Sequence, residues 1–312
     1  MNAAERTVVT SVIKSKAAEL GFDLCGIARA RSLSERESVL RSWVEAGMND
    51  KMAYLARDID ERINPAILFP GARSLIVTAL NYFARPGQRK EDVPIMSRYT
   101  YGEDYHDIII PKLESLLAYI QDLVPDTLGK PICDSAHLLE KAWAEEAGLG
   151  WQGRHSIVIN KEIGSFFFIG ILILNIDLDY DDPFKEDLCR NCTLCVDACP
   201  TAAINNNKTI DARKCISNLT IEKRGPIPRE IIPNLGRRIY GCDLCQEVCP
   251  WNRKAIPNTI PEFAIPEEVA EMDPEDWKSL TKEKFIRLFR KSPLGRKKYE
   301  HLMENIRIAL GE

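Results

Sequence analysis

The sequence lacks an apolar run long enough to cross a bilayer. Its longest, Ile163 to Ile176, covers fourteen residues and is broken by Gly164, Ser165, Gly170 and Asn175, whereas a spanning helix needs about 20. The opening MNAAERTVVT has neither a basic lead into an apolar core nor a cleavage pattern, so a cytoplasmic protein without a membrane partner is expected. Strong net charge is missing too. With 42 Lys and Arg against 46 Asp and Glu, the balance is −4, and any nucleic-acid contact must come from a local patch. One candidate patch runs from Lys284 to Lys298, where Lys284, Arg287, Arg290, Lys291, Arg296, Lys297 and Lys298 have no acidic residue among them. It reads either as a phosphate-binding surface or as a solvated helix face. The acidic stretch Asp177 to Pro183 lacks the central glycine of a calcium loop, which leaves it as a linker. No internal repeat is visible outside two cysteine runs.

Those runs dominate what is present. Eight of the ten cysteines lie between positions 189 and 249. The first run, Cys189, Cys192, Cys195 and Cys199-Pro200, has the C-x2-C-x2-C-x3-C-P spacing of bacterial ferredoxins, in which three thiolates grip one 4Fe–4S cube and the fourth reaches another. The second run, Cys242, Cys245 and Cys249-Pro250, is one ligand short, because position 239 is isoleucine. Cys215 supplies that ligand. By the crossing rule, Cys189, Cys192, Cys195 and Cys249 hold one cluster, and Cys199, Cys215, Cys242 and Cys245 the other. Zinc sites usually pair two separated C-x2-C knuckles, and disulfides need an oxidising compartment, so neither fits as well. Cys25 and Cys133 fall outside both sets and read as packed thiols, Cys133 adjoining Asp134.

Apolar periodicity predicts helices over Ala3 to Leu20, Ser34 to Ala46, His106 to Leu123 and His137 to Gly148, with Asp134 in position to cap the last. Strands are predicted over Phe22 to Ala28 and Arg73 to Leu80. A hairpin of His155 to Asn160 with Ser165 to Ile176 is also predicted, its second strand apolar on both faces and hence central in a sheet. Beyond Trp251 the chain is proline-spaced, then helical from about Asp276 to Leu310.

The segments Ser97 to His106, Asp134-Ser135-Ala136-His137-Leu138-Leu139-Glu140-Lys141, Gly148 to Gly153, Asp211 to Glu222 and Tyr240 to Asn252 resemble the epoxyqueuosine reductase family, from about residue 5 to the end. The resemblance implies an α+β protein: an α/β corrinoid-binding domain with a central sheet over 1–180, a ferredoxin-like module with two 4Fe–4S clusters over 181–255, and a helical C-terminal segment over 256–312. It implies cobalamin as a further cofactor, a tRNA carrying epoxyqueuosine as substrate, an unidentified low-potential electron donor as partner, and a monomer. Asp134 matches the family's acid. Opening an epoxide and losing its oxygen as water consumes protons, and a positioned carboxyl would supply them. The same matching points to Arg57, Tyr99, Ser135, His155, Ser156, Ser165, Ser217, Arg224, Gly241 and Asp243 as corrinoid contacts. Arg154 stands where relatives commonly have lysine, and the resemblance implies no histidine ligand to cobalt. Lys223, Arg237, Arg238, Arg296, Lys297 and Lys298 are the candidates for tRNA phosphates. Many relatives continue into a helical-repeat extension; if that extension carries tRNA affinity in them, this chain would find it on its basic C-terminal stretch or bind more weakly. Two rival readings are a corrinoid and iron–sulfur reductase of a small molecule and a non-enzymatic ferredoxin fusion.

Overall fold

The computed structural model describes residues 1–223 and 225–312. In chain order the strands are β1 (Leu24–Arg29), β2 (Ser74–Asn81), β3 (Ile95–Met96), β4 (Gly129–Ile132), β5 (Trp151–Gln152), β6 (Val158–Ile159), β7 (Phe167–Leu174) and β8 (Arg238–Tyr240). The helices are α1 (Ala3–Glu19), α2 (Ser34–Glu45), α3 (Ile59–Ile63), α4 (Pro65–Leu68), α5 (Tyr105–Leu123), α6 (Glu140–Glu146), α7 (Leu194–Asp197), α8 (Ile216–Ile221), α9 (Leu244–Glu247), α10 (Glu267–Ala270), α11 (Pro274–Lys278), α12 (Lys282–Phe289) and α13 (Tyr299–Ala309). Four strands form an antiparallel sheet in the order β1-β2-β7-β4. Residues alternate across a strand, and in β2 that alternation feeds two cores. Ile76 and Leu80 join Ile13, Ile109, Leu113 and Leu116 of α1 and α5, while Leu75, Val77 and Ala79 join Ala142 and Trp143 of α6.

β7 is central, as its two apolar faces predict. The expected hairpin with the preceding segment is not made: β6 pairs with β5 instead, and β7 lies between β2 and β4. The reason is local. Asn160 Oδ1 accepts the N–H groups of Glu162 and Ile163, its Nδ2 donates to the Leu149 carbonyl, and Gly164 takes a positive φ of 73°. These bonds turn the chain back on β5 before β7 begins. The C-terminal region is also not one helix. Pro293 opens a 3₁₀ turn between α12 and α13, because proline cannot continue the donor ladder.

The cluster module is joined to the sheet domain by backbone pairing. β3 runs parallel to β8, with Ile95 opposite Arg238 and Met96 opposite Tyr240. A third core then gathers Met96 and Tyr101, Ile239 and Tyr240, and Trp277, Phe285, Phe289, Leu302 and Ile306 from the C-terminal helices. The acidic stretch is a strap: Asp179 pairs with Arg6 at 2.6 Å, while Asp181 pairs with Lys14 at 2.6 Å and accepts the Ile27 N–H at 2.7 Å. Among the described residues no helix is long and apolar enough to cross a membrane.

Candidate active site between the sheet domain and the cluster module

The two cysteine runs fold alike. Each places the cysteine just before its closing Cys-Pro pair in a one-turn helix, Cys195 in α7 and Cys245 in α9. Burial raises the thiol pKa of Cys195 to about 11, and the next contributions come from Cys189 and Cys249, then Cys192. Burial likewise raises Cys245, followed by the charges of Cys242 and Cys215. Cys215, raised by burial, has Cys199 as its thiol neighbour and accepts the N–H groups of Ser217 and Asn218 at the start of α8. Cys195 and Cys249 feel the charges of Cys189 and Cys192, Cys215 that of Cys199, and Cys242 and Cys245 that of Cys215, while Cys195 also acts on Cys245. Among the described residues no three His, Cys, Asp or Glu side chains close on a single-ion position; a cubane, with a thiolate at each of its iron corners, needs a wider ring.

Between the module and the sheet domain lies a cavity of about 1190 Å³, beyond the roughly 300–1,000 Å³ of ordinary small-molecule sites. Its walls join Cys215, Ser217 and Asn218 of the module to Asp134, Ser135, Glu140 and Lys141 of the sheet domain, with Tyr99, Tyr105, Arg296 and Lys297 along another side. Helix α2 buries none of its own residues, and its apolar Val39, Leu40 and Trp43 line the same space. Asn218, only 7% exposed, has a side-chain oxygen at this wall with no partner among the described residues. A broad group with an apolar body and peripheral amide donors meets these demands, and a corrinoid has that form. The eight thiols likewise suit two cubes.

Asp134 is not a helix cap. Helix α6 begins at Glu140 behind Leu139, which makes no side-chain capping bond. Asp134 instead occupies the left-handed region at φ 54°, an uncommon conformation for a residue with a Cβ. Two bonds hold it: the Tyr105 hydroxyl donates to Oδ2 at 2.8 Å, and the Asp134 N–H donates to Glu140 Oε1 at 2.7 Å. Burial, followed by the Asp134 charge, pushes the Glu140 carboxyl up to about 8. Lys141, next in the chain to Glu140, lines the same cavity with an exposed side chain. Arg296 pairs with Asp104 and lies 5.7 Å from the Tyr105 ring centre.

Of the sequence candidates, Asp134, Tyr99, Ser135, Ser156, Ser217, Cys215, Arg296 and Lys297 meet at this cavity. Others lie elsewhere. Arg57 is exposed outside its lining. His155 is 3% exposed, with Nδ1 accepting the Ile157 N–H at 3.3 Å and burial holding its pKa near 4, so its ring is a neutral part of the packing. Ser165 is buried against Gln246 and Asn252. Gly241 and Asp243 line a separate cavity of about 240 Å³ together with Arg237, Arg238 and Cys242. There Asp243 accepts the Ser97 hydroxyl and the Arg98 N–H. Arg237 pairs with Asp92, Arg238 donates to the Leu235 carbonyl, and Lys297 donates to the Ile221 carbonyl at 2.9 Å. Lys298 is exposed and Lys223 half-buried, while Arg224 lies outside the described residues. Sequence reasoning missed Tyr105, Glu140 and Lys141 as site groups, although all three fall in segments that carry the family resemblance.

Comparison with known proteins places this geometry. Residues 188–252 match the family described as "4Fe-4S double cluster binding domain", and residues 62–135 match "Epoxyqueuosine reductase QueG, DUF1730". The epoxyqueuosine reductase of Cyclobacterium marinum is 40% identical over 304 residues, 97% of each chain. That of Leadbetterella byssophila is 44% identical over 295 residues, 94% of this chain and 96% of its own. A crystal structure of epoxyqueuosine reductase with an epoxyqueuosine-modified tRNA-Tyr stem loop superposes with a TM-score of 0.85 at 29% identity, over 97% of this chain and 81% of that one. The similarity runs through the sheet domain, the cluster module and the C-terminal helices alike, and at this identity the chain belongs to the epoxyqueuosine reductase family.

Proposed function

We propose that this chain reduces epoxyqueuosine to queuosine in a tRNA anticodon loop, with a corrinoid seated in the 1190 Å³ cavity. The observation that carries this reading is the sharing of one cavity by Asp134 and the cluster ligand Cys215. A proton source and an electron source then face the same space. When bound, the clusters supply single electrons and the corrinoid supplies a low-potential metal centre for breaking the carbon–oxygen bonds.

The chain's own groups do the rest. Ser135, Ser156, Ser217 and the side-chain oxygen of Asn218 would hold the polar rim of the corrinoid, while Val39, Leu40 and Trp43 would cover its apolar body. Asp134 holds a proton at its carboxyl for the departing oxygen, and Tyr105 fixes that carboxyl through the bond to Oδ2. Cys199, Cys215, Cys242 and Cys245 would hold the cluster on the cavity side, and Cys189, Cys192, Cys195 and Cys249 would hold the one farther from it, where a low-potential donor would supply electrons. A nucleotide splayed from a loop fits such a cavity better than a stacked one. Arg296, Lys297, Lys298 and Lys223 are the basic groups proposed for its phosphates, and a cytoplasmic location suits the substrate.

Anaerobic titration of the cluster-loaded chain with cobalamin, followed by visible spectra, tests the reading. One cobalamin per chain is expected, with binding lost in Ser217→Trp, which fills the cavity wall. Absence of binding by the wild-type chain would refute the corrinoid site.

A further inference from the structure

Converting an epoxide to an alkene takes two electrons and two protons, and the oxygen leaves as water. Asp134 has one carboxyl and can hold one proton at a time. Besides Tyr105, which bonds its carboxyl, Asp134 touches Glu140, whose Oε1 accepts the Asp134 N–H at 2.7 Å and which lines the same cavity. We propose that Glu140 is a positioning residue with a reserve proton: it fixes the Asp134 backbone and recharges the Asp134 carboxyl once the first proton has been spent. The inference rests on the epoxide-reduction reading above.

The geometry supports both halves of the role. Asp134 sits at φ 54°, a conformation that persists only where its surroundings hold it, and the bond to Glu140 spans the loop from Asp134 to the first residue of α6. The groups facing Glu140 are Asp134, Lys141 and Cys133, and Tyr105 of α5 reaches it only through Asp134. Burial and the Asp134 charge outweigh Lys141, so the Glu140 carboxyl keeps its proton to a pH of about 8. The transfer runs from a Glu140 oxygen to the Asp134 carboxylate, directly or through one cavity water. It leaves a Glu140 carboxylate that solvent reprotonates, and both electrons come from the low-potential donor through the clusters.

Glu140→Gln separates the two halves, because the amide oxygen still accepts the Asp134 N–H but the side chain has no proton to give. Conversion of an epoxyqueuosine stem loop by the wild-type chain, Glu140→Gln and Glu140→Asp is followed from pH 6 to 9, with iron content and stem-loop affinity as controls. The expected result is a wild-type rate that declines above pH 8. Glu140→Gln should be slower by about 10²-fold with that decline gone, and Glu140→Asp should recover part of the rate. A Glu140→Gln chain with the wild-type rate, or slowed equally at every pH, overturns the proposal. Infrared titration of the wild-type protein with labelled glutamate reads the same carboxyl without turnover. A protonated band present at pH 7 and absent from Glu140→Gln supports the proposal even if the reduction reading fails, and its absence overturns it.

Discussion

Cys215 is the proposed cluster ligand that stands outside both cysteine runs, and replacing it with serine should isolate one cube. The residue precedes α8 and packs beside Cys199, with its sulfur receiving the N–H groups of Ser217 and Asn218. Without it, the set of Cys199, Cys242 and Cys245 has three thiolates for a cube that takes four. Cys189, Cys192, Cys195 and Cys249 stay complete. Iron in the reconstituted chain should therefore fall from about eight to about four atoms, with one of two paramagnetic signals remaining after reduction. Because bound metal contributes folding free energy, the thermal midpoint should fall as well. Cys199→Ser should give the same result even though it belongs to the first run, while Cys133→Ser and Cys25→Ser should keep about eight iron atoms. Two intact signals and full iron in Cys215→Ser would refute the assignment.

Asp134→Asn should keep both clusters and cobalamin binding yet lose about 10²–10⁴-fold in conversion, measured by product nucleoside in single-turnover assays. Lys298→Ala should weaken stem-loop binding evenly across sequences and reduce the salt slope by about 1, read by fluorescence anisotropy at several ionic strengths. Arg296→Ala should act differently, lowering conversion more than affinity, because Arg296 is committed to Asp104 and the Tyr105 ring. The raised Glu140 pKa has a defined sign in stability. The native chain keeps a proton that the unfolded chain sheds near pH 4.5, so stability falls as pH rises from there to about 8, by at most about 1.4 kcal/mol per pH unit. Glu140→Gln should remove that slope from thermal midpoints measured between pH 5 and 8. Gly241→Ala should cost roughly 1–3 kcal/mol, since position 241 has φ 76° and a Cβ there would lie 2.5 Å from the Ser97 Cβ.

The cysteine spacing made the cluster module legible because cube geometry leaves little freedom in the ligands. The long amphipathic helices and the central strand were legible for the same kind of reason: a period of 3.6 or 2 over many residues is hard to mistake. Short-range pattern failed where long-range pairing decides. β4 contains Pro131 and is not among the predicted strands, yet it forms the sheet edge beside β7, where a proline is tolerated. The spacing predicts α2 as a helix but does not show that its Val39, Leu40 and Trp43 face the cavity. Asp134 reads as a cap because its spacing to the following helix is right, and three more residues of loop put it at a positive φ instead. Arg296 and Lys297 belong to a basic run in one dimension, but in the fold each has a protein partner.

Nucleoside mass spectrometry of epoxyqueuosine-containing tRNA tests the central claim most directly. The cluster-loaded chain is incubated anaerobically with a strong reductant, with and without cobalamin. The account predicts queuosine only when cobalamin is present, and none from Asp134→Asn. Unchanged epoxyqueuosine in a wild-type sample shown to hold both clusters and cobalamin would contradict it.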